Sequence, residues 1–137
     1  MRSVRIGLVA GAALLLVGVA TYVLGERTEV ARLRTFDARS VVHETKLWIV
    51  DQPDGAWVRV ARPERQWLRR LRAQPEIEIL RNGGAPQKMR ATPDPSAETK
   101  LRIDRAFRDK YGLVDWWYGV VLRSNLIPVR LEAIRAP

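Results

Sequence analysis

The stretch from Thr45 to Val60, Thr-Lys-Leu-Trp-Ile-Val-Asp-Gln-Pro-Asp-Gly-Ala-Trp-Val-Arg-Val, leaves the backbone little local choice. Leu47 to Val50 is an apolar, β-branched and aromatic run, which suits a strand covered on both faces. Asp51-Gln-Pro-Asp-Gly55 then supplies turn chemistry: Pro53 presets φ, Asp54 can bond its own backbone, and Gly55 accepts positive φ. From Trp57 to Ala61 β-forming residues resume and alternate. Trp57, Arg59 and Ala61 share one face, and Val58 and Val60 the other. The expectation is a β-hairpin with a loop longer than the tightest turns. Arg59, held between an aromatic and a small residue, is either a solvated side chain or a ligand-binding group.

The flanking segments extend this pattern. Pro63 suits a first helical position with Glu64 in the first turn, and Trp67, Leu68 and Leu71 form one apolar stripe that ends before Pro75. Arg65, Arg69, Arg70 and Arg72 fill the rest, as the wet face of an amphipathic helix does. Glu76 to Leu80 alternates as a strand, Asn82-Gly-Gly84 is a turn, and Gln87 to Thr92 returns as a second strand. Asp94-Pro95 reads as the cap and first residue of another helix. Ile103, Ala106, Phe107 and Tyr111 give its buried face, and Gly112 ends it. Leu113 to Leu122 is apolar but too short to cross a bilayer. It suits a core segment, a dimer face, a pocket wall or an interfacial membrane contact. Pro128 to Ile134 closes the chain as a strand. These elements sum to a mainly β (α+β) domain, a small antiparallel barrel with two or three short helices.

Before the hairpin stands a segment of a different kind. Ile6 to Gly25 holds no charged residue, and about 20 such residues suffice for a helix to cross a hydrocarbon core of ~30 Å. A single-pass anchor in membrane lipid through residues 6–25 is the expectation. The rival is a secretory signal peptide, with Gly18-Val-Ala20 as its cleavage site, although the apolar run exceeds a usual signal core. Basic residues after the run (Arg27, Arg32, Arg34, Arg39) outnumber Arg2 and Arg5 before it, which favours a cytoplasmic domain. The division expected is an anchor over 1–25, a charged juxtamembrane linker over 26–40 and a barrel over 41–137. Within the linker Val30, Leu33 and Phe36 recur at helical spacing, and a strand over Ala31 to Phe36 is the alternative.

Composition narrows the chemistry. The 137 residues allow one domain of ordinary size. They include no cysteine and one histidine, His43, which speaks against thiolate chemistry, a His-rich metal site and a Ser-His-Asp triad. The net charge of +9 favours anionic partners. Nucleic acid is not expected, because the basic residues are spread and no recognition motif stands among them.

The order of hairpin, Trp67-Leu-Arg-Arg-Leu-Arg-Ala-Gln-Pro75 and Glu76-Ile-Glu-Ile resembles a segment of the deazaflavin-dependent nitroreductase family. Asp109-Lys-Tyr-Gly112 followed by Asp115, and the closing Pro128-Val-Arg-Leu131, are similar to small members of that group. The resemblance covers roughly Val42 to Glu132. It implies the split β-barrel of the pyridoxamine-phosphate oxidase and flavin reductase superfamily, a homodimer, and a deazaflavin or FMN in a groove. The implied activity is hydride transfer to a small lipophilic acceptor such as a quinone or nitro compound. The alternative is a non-catalytic tethered barrel that binds a lipid, ligand or partner protein. This sequence has Ala61-Arg-Pro63 where relatives carry a small-residue phosphate loop, so Arg59 and Arg62 are the expected phosphate donors. Trp67, Lys110 and Tyr111 complete the expected cofactor-binding set.

Overall fold

The computed structural model describes residues 7, 9–19, 29–62, 64–122 and 126–134, the side chains at 118 and 120–122 excepted. Six strands form one closed barrel: β1 (Val30–Phe36), β2 (Val42–Gln52), β3 (Gly55–Val60), β4 (Glu76–Leu80), β5 (Gln87–Pro93) and β6 (Ile127–Ala133). The order around the barrel is β1-β2-β3-β6-β5-β4, and every neighbouring pair is antiparallel. Four helical segments accompany it: α1 over residues 9–19, α2 (Gln66–Ala73), α3 (Ala97–Tyr111) and α4 (Leu113–Leu122).

Alternation decides which side chains fill the barrel. Ala31, Leu33, Ile49, Val58, Val60, Ile77, Ile79, Ala91, Val129 and Leu131 point inward and are buried. Trp67, Leu68 and Leu71 of α2 join the same cluster, so this helix packs its stripe onto the barrel's core. Fully burying each large aliphatic among them contributes roughly 1.5–3 kcal/mol. A second cluster lies outside the wall, where Val50 and Trp57 meet Ile103, Phe107 and Tyr111 of α3. The Leu47 to Val50 run is therefore covered on both faces because the barrel core lies on one side and α3 on the other.

The hairpin forms as its turn chemistry requires, with Gly55 at φ 129°. Several boundaries differ from the sequence reading. The stretch read as a linker over 26–40 contains β1, so the barrel begins at Val30 and not near residue 41. Of the two readings of that segment the strand forms, because Ala31, Leu33 and Thr35 alternate inward against Arg32 and Arg34. Helix α2 starts at Gln66 with Arg65 as its flanking residue, so Glu64 precedes the first turn; Pro63 lies outside the described residues. The cap of α3 is Ser96, whose hydroxyl accepts from the Thr99 amide. Asp94 stands two residues earlier, and its carboxylate accepts from the Ser96 amide and the Thr99 hydroxyl.

The expected anchor over 6–25 falls partly outside the described residues. Its described part, α1, is helical and exposed, with Leu14, Leu15 and Leu16 each at least 70% accessible. Among the described residues no helix is long and apolar enough to cross a membrane, so the expected transmembrane helix is not present there.

Candidate functional site

Arg59 leaves the outer face of β3 directly beneath α3. Its Nη1 donates to Asp104 Oδ1 at 3.1 Å, its Nη2 donates to Asp115 Oδ1, and its guanidinium carbon lies 3.9 Å from the centre of the Phe107 ring. Only 8% of the side chain is accessible. Lys100, one turn before Asp104, donates to the second oxygen of that carboxylate at 2.7 Å. Arg59 is thus neither solvated nor an idle cation. Burying a guanidinium requires partners for its charge, and α3 and α4 each supply a carboxylate.

Around this arginine lies a cavity of about 410 Å³, within the range of small-molecule sites. Leu47 and Trp48 of β2 and Phe107 of α3 form apolar walls, and Val30, Ala61, Gly119 and Leu126 complete the lining. Asp115 contributes the one carboxylate, and Lys46 stands exposed at the edge with no carboxylate partner among the described residues. Trp48 stacks on Tyr111 with ring centres 4.9 Å apart, and Tyr111 stacks on Phe107 at 5.8 Å. The walls are therefore backed by a row of three rings. Two other depressions, about 520 Å³ beside α2 and about 800 Å³ along the β2–β3 turn, bring no aromatic ring to a buried cation.

Lys110 and Tyr111 act behind the cavity. The Tyr111 hydroxyl accepts from the Ile49 amide at 3.1 Å and offers its proton to the carbonyls of Ile49 (2.8 Å) and Glu29 (3.0 Å). Burial pushes its pKa up, so the phenol stays neutral in the ordinary pH range. Lys110 donates to the Ile49 carbonyl at 2.7 Å and pairs with the Glu29 carboxylate. Arg81 bridges Glu29 and Asp51, each at 2.7 Å. Burial acts to raise the Glu29 pKa, but hydrogen bonds from Lys110 and Arg81 outweigh it and hold the carboxyl below its usual range. This cluster ties the residue before β1 to the end of α3 and to the β4–β5 turn.

Of the five residues expected to bind cofactor, Arg59 alone lines the cavity, and Tyr111 forms the layer behind Trp48. Lys110 is spent on Glu29 and Ile49. Arg62 is exposed just past Ala61, and Trp67 is 6% accessible in the barrel core. His43 pairs with Asp37 at 3.0 Å beside the β1–β2 turn, away from the cavity lining. The sequence reading missed Lys46, Phe107, Asp104 and Asp115 as site residues. Asp115 carried a signal: a lone acid inside the apolar run 113–122 needs a buried partner.

No protein-family model matches the chain, and no curated protein matches it. Solved structures do. The haem storage protein HutZ of Vibrio cholerae superposes with a TM-score of 0.62 at 15% identity, covering 82% of this chain and 87% of its own. A FAD-binding protein of Mesorhizobium loti gives 0.60 at 15% identity, covering 85% and 89%. A candidate pyridoxamine 5′-phosphate oxidase of Listeria innocua gives 0.60 at 13% identity, covering 83% and 90%. At these identities the likeness shows the fold: a barrel of the pyridoxamine-phosphate-oxidase-like split type.

Proposed function

We propose that the chain binds a flavin-type cofactor, FMN or a deazaflavin, in the cavity between β2, β3, α3 and α4. The proposed activity is hydride transfer to a small lipophilic acceptor. One observation carries the reading: the walls of Trp48, Leu47 and Phe107 are apolar, and two cations, Arg59 within and Lys46 at the edge, accompany them. A flat conjugated ring with an acidic tail matches that distribution. Lys46 is the phosphate donor in this reading, because Arg59 already satisfies two carboxylates. Arg62, next to the lining residue Ala61, is the second candidate. A bound flavin supplies the redox step. The chain's own residues bind, orient and exclude water.

A haem-type ligand is the second reading, favoured by the fold shared with a haem storage protein. Against it, the described lining holds no histidine, methionine, cysteine or tyrosine to ligate iron. Titration of the full chain with FMN, a deazaflavin and haem, followed by fluorescence and visible absorbance, separates these readings. Saturable one-to-one binding of a flavin-type ligand is expected. Binding of haem alone, or of none of the three, would overturn the proposal.

A further inference from the structure

Two carboxylates hold Arg59, and they are used differently. Asp104 engages both oxygens, Oδ1 with Arg59 and Oδ2 with Lys100. Asp115 engages one: its Oδ1 accepts from Arg59, and its Oδ2 accepts from no described residue. Yet only 10% of the Asp115 side chain is accessible. Among the described residues no fully buried side-chain oxygen or nitrogen lacks a partner, so Oδ2 still meets open space. Asp115 lines the cavity, and the cavity is the space that Oδ2 reaches. A carboxylate oxygen in so sheltered a place costs free energy unless a donor meets it.

The guanidinium beside it also has capacity left. It carries five N–H groups, of which one goes to Asp104 and one to Asp115, and Arg59 lines the same cavity. A buried acceptor and a buried donor therefore stand next to each other between the apolar walls of Trp48 and Phe107. The ligand edge that matches this pair carries an N–H adjacent to a C=O. The carboxylate also repels a phosphate, which turns an acidic tail away from the pair and toward Lys46 at the edge.

We infer that Asp115 is a specificity-determining residue: its Oδ2 accepts the imide N–H of the pyrimidine ring that flavins and deazaflavins share, and a spare Arg59 N–H donates to the neighbouring carbonyl. This rests on the flavin-type reading above and names the ring edge that the buried pair reads. A site built to bond an N–H rejects the analogue that lacks it, because its own polar group is then left unpaired. The test titrates the full chain with FMN and with FMN methylated at the imide nitrogen. FMN should bind roughly 10- to 100-fold tighter, the range that a hydrogen bond to a charged group supplies. Asp115→Asn keeps the size and removes the charge. It should weaken FMN and leave the methylated ligand nearly unchanged, so that the ratio shrinks. A purely structural role for Asp115 would move both ligands together. Equal wild-type affinities would overturn the assignment while the flavin reading stands. A ratio kept in full by Asp115→Asn would overturn it too, as simple exclusion of the methyl group. If FMN itself does not bind, the flavin reading fails, and the assignment falls with it.

Discussion

Arg59 and Asp115, separated by 56 positions in the chain, form a nearly buried ion pair that fastens α4 to the barrel wall. Side-chain accessibility is 8% for the arginine and 10% for the aspartate. Removing one member of such a pair leaves the other charged and unsatisfied, at a cost of about 3–5 kcal/mol. Arg59→Met should lower unfolding stability by that order, since it strands Asp115, while Asp104 keeps its ion pair with Lys100. Asp115→Asn should cost less, because Asp104 still holds the guanidinium. Urea denaturation of both variants and the double variant checks this, and the two losses should not add.

Tyr111 and Glu29 give a second expectation. Tyr111→Phe keeps the stacking on Trp48 and Phe107 but removes the hydroxyl that serves Ile49 and Glu29. The expected loss is about 1–3 kcal/mol. Faster hydrogen exchange at the Ile49 amide should accompany it. Unchanged exchange there would show that β2 does not depend on this contact.

The acid limb of stability has a defined sign. Glu29 and Asp51 both have folded pKa values held below their ordinary range, Asp51 chiefly by its hydrogen bond from Arg81. Their contribution is present above the unfolded carboxylate values, near about 4, and is lost as pH falls through the lower folded values. Arg81→Gln should flatten the fall in urea midpoint as pH drops below the unfolded carboxylate values, near about 4. A parallel curve for the variant would remove Arg81 from the account. Tyr111 acts at the other end. Its raised pKa means stability held below about pH 10 and lost as pH rises through the higher folded value.

Glycine substitutions should separate cleanly. A Cβ at Gly55 would meet the Leu131 carbonyl oxygen at 2.8 Å, and φ there is 129°. Gly55→Ala should cost about 1–3 kcal/mol or more. At Gly83, where nothing lies within 4 Å and φ is 71°, only the backbone strain is felt. Paired melting curves measure the difference.

These expectations show what was legible in the residues. The hairpin, the strand pairs around Asn82-Gly-Gly84 and the buried stripe of α3 were readable because turn residues and periodicity are local signals. β1 was ambiguous, since Val30, Leu33 and Phe36 fit a helical stripe while Ala31, Leu33 and Thr35 fit a strand. Only pairing with β2 and β4 decides between them. The alternation around Arg59 placed it on the outer face with Trp57. Its partners were not readable, because Asp104 and Asp115 reach it only through the packing of α3 and α4. Trp67 looked like a ligand contact by resemblance and is a core residue, since the apolar stripe of α2 had to be buried somewhere.

The central claim is that the cavity walled by Trp48 and Phe107 holds the flavin-type ligand. Gly119 lines it from α4, and a Cβ there would meet nothing within 4 Å. Gly119→Leu therefore projects a side chain into the cavity from a position that is open at Cβ, and replacing a helical glycine should raise stability by up to about 1 kcal/mol. The direct measurement is the affinity of the wild type and Gly119→Leu for FMN and a deazaflavin, taken with their melting temperatures. The account predicts at least roughly tenfold weaker binding, equivalent to about 1.4 kcal/mol, with a melting temperature unchanged or higher. Equal affinity in the two proteins would contradict it and place the ligand elsewhere.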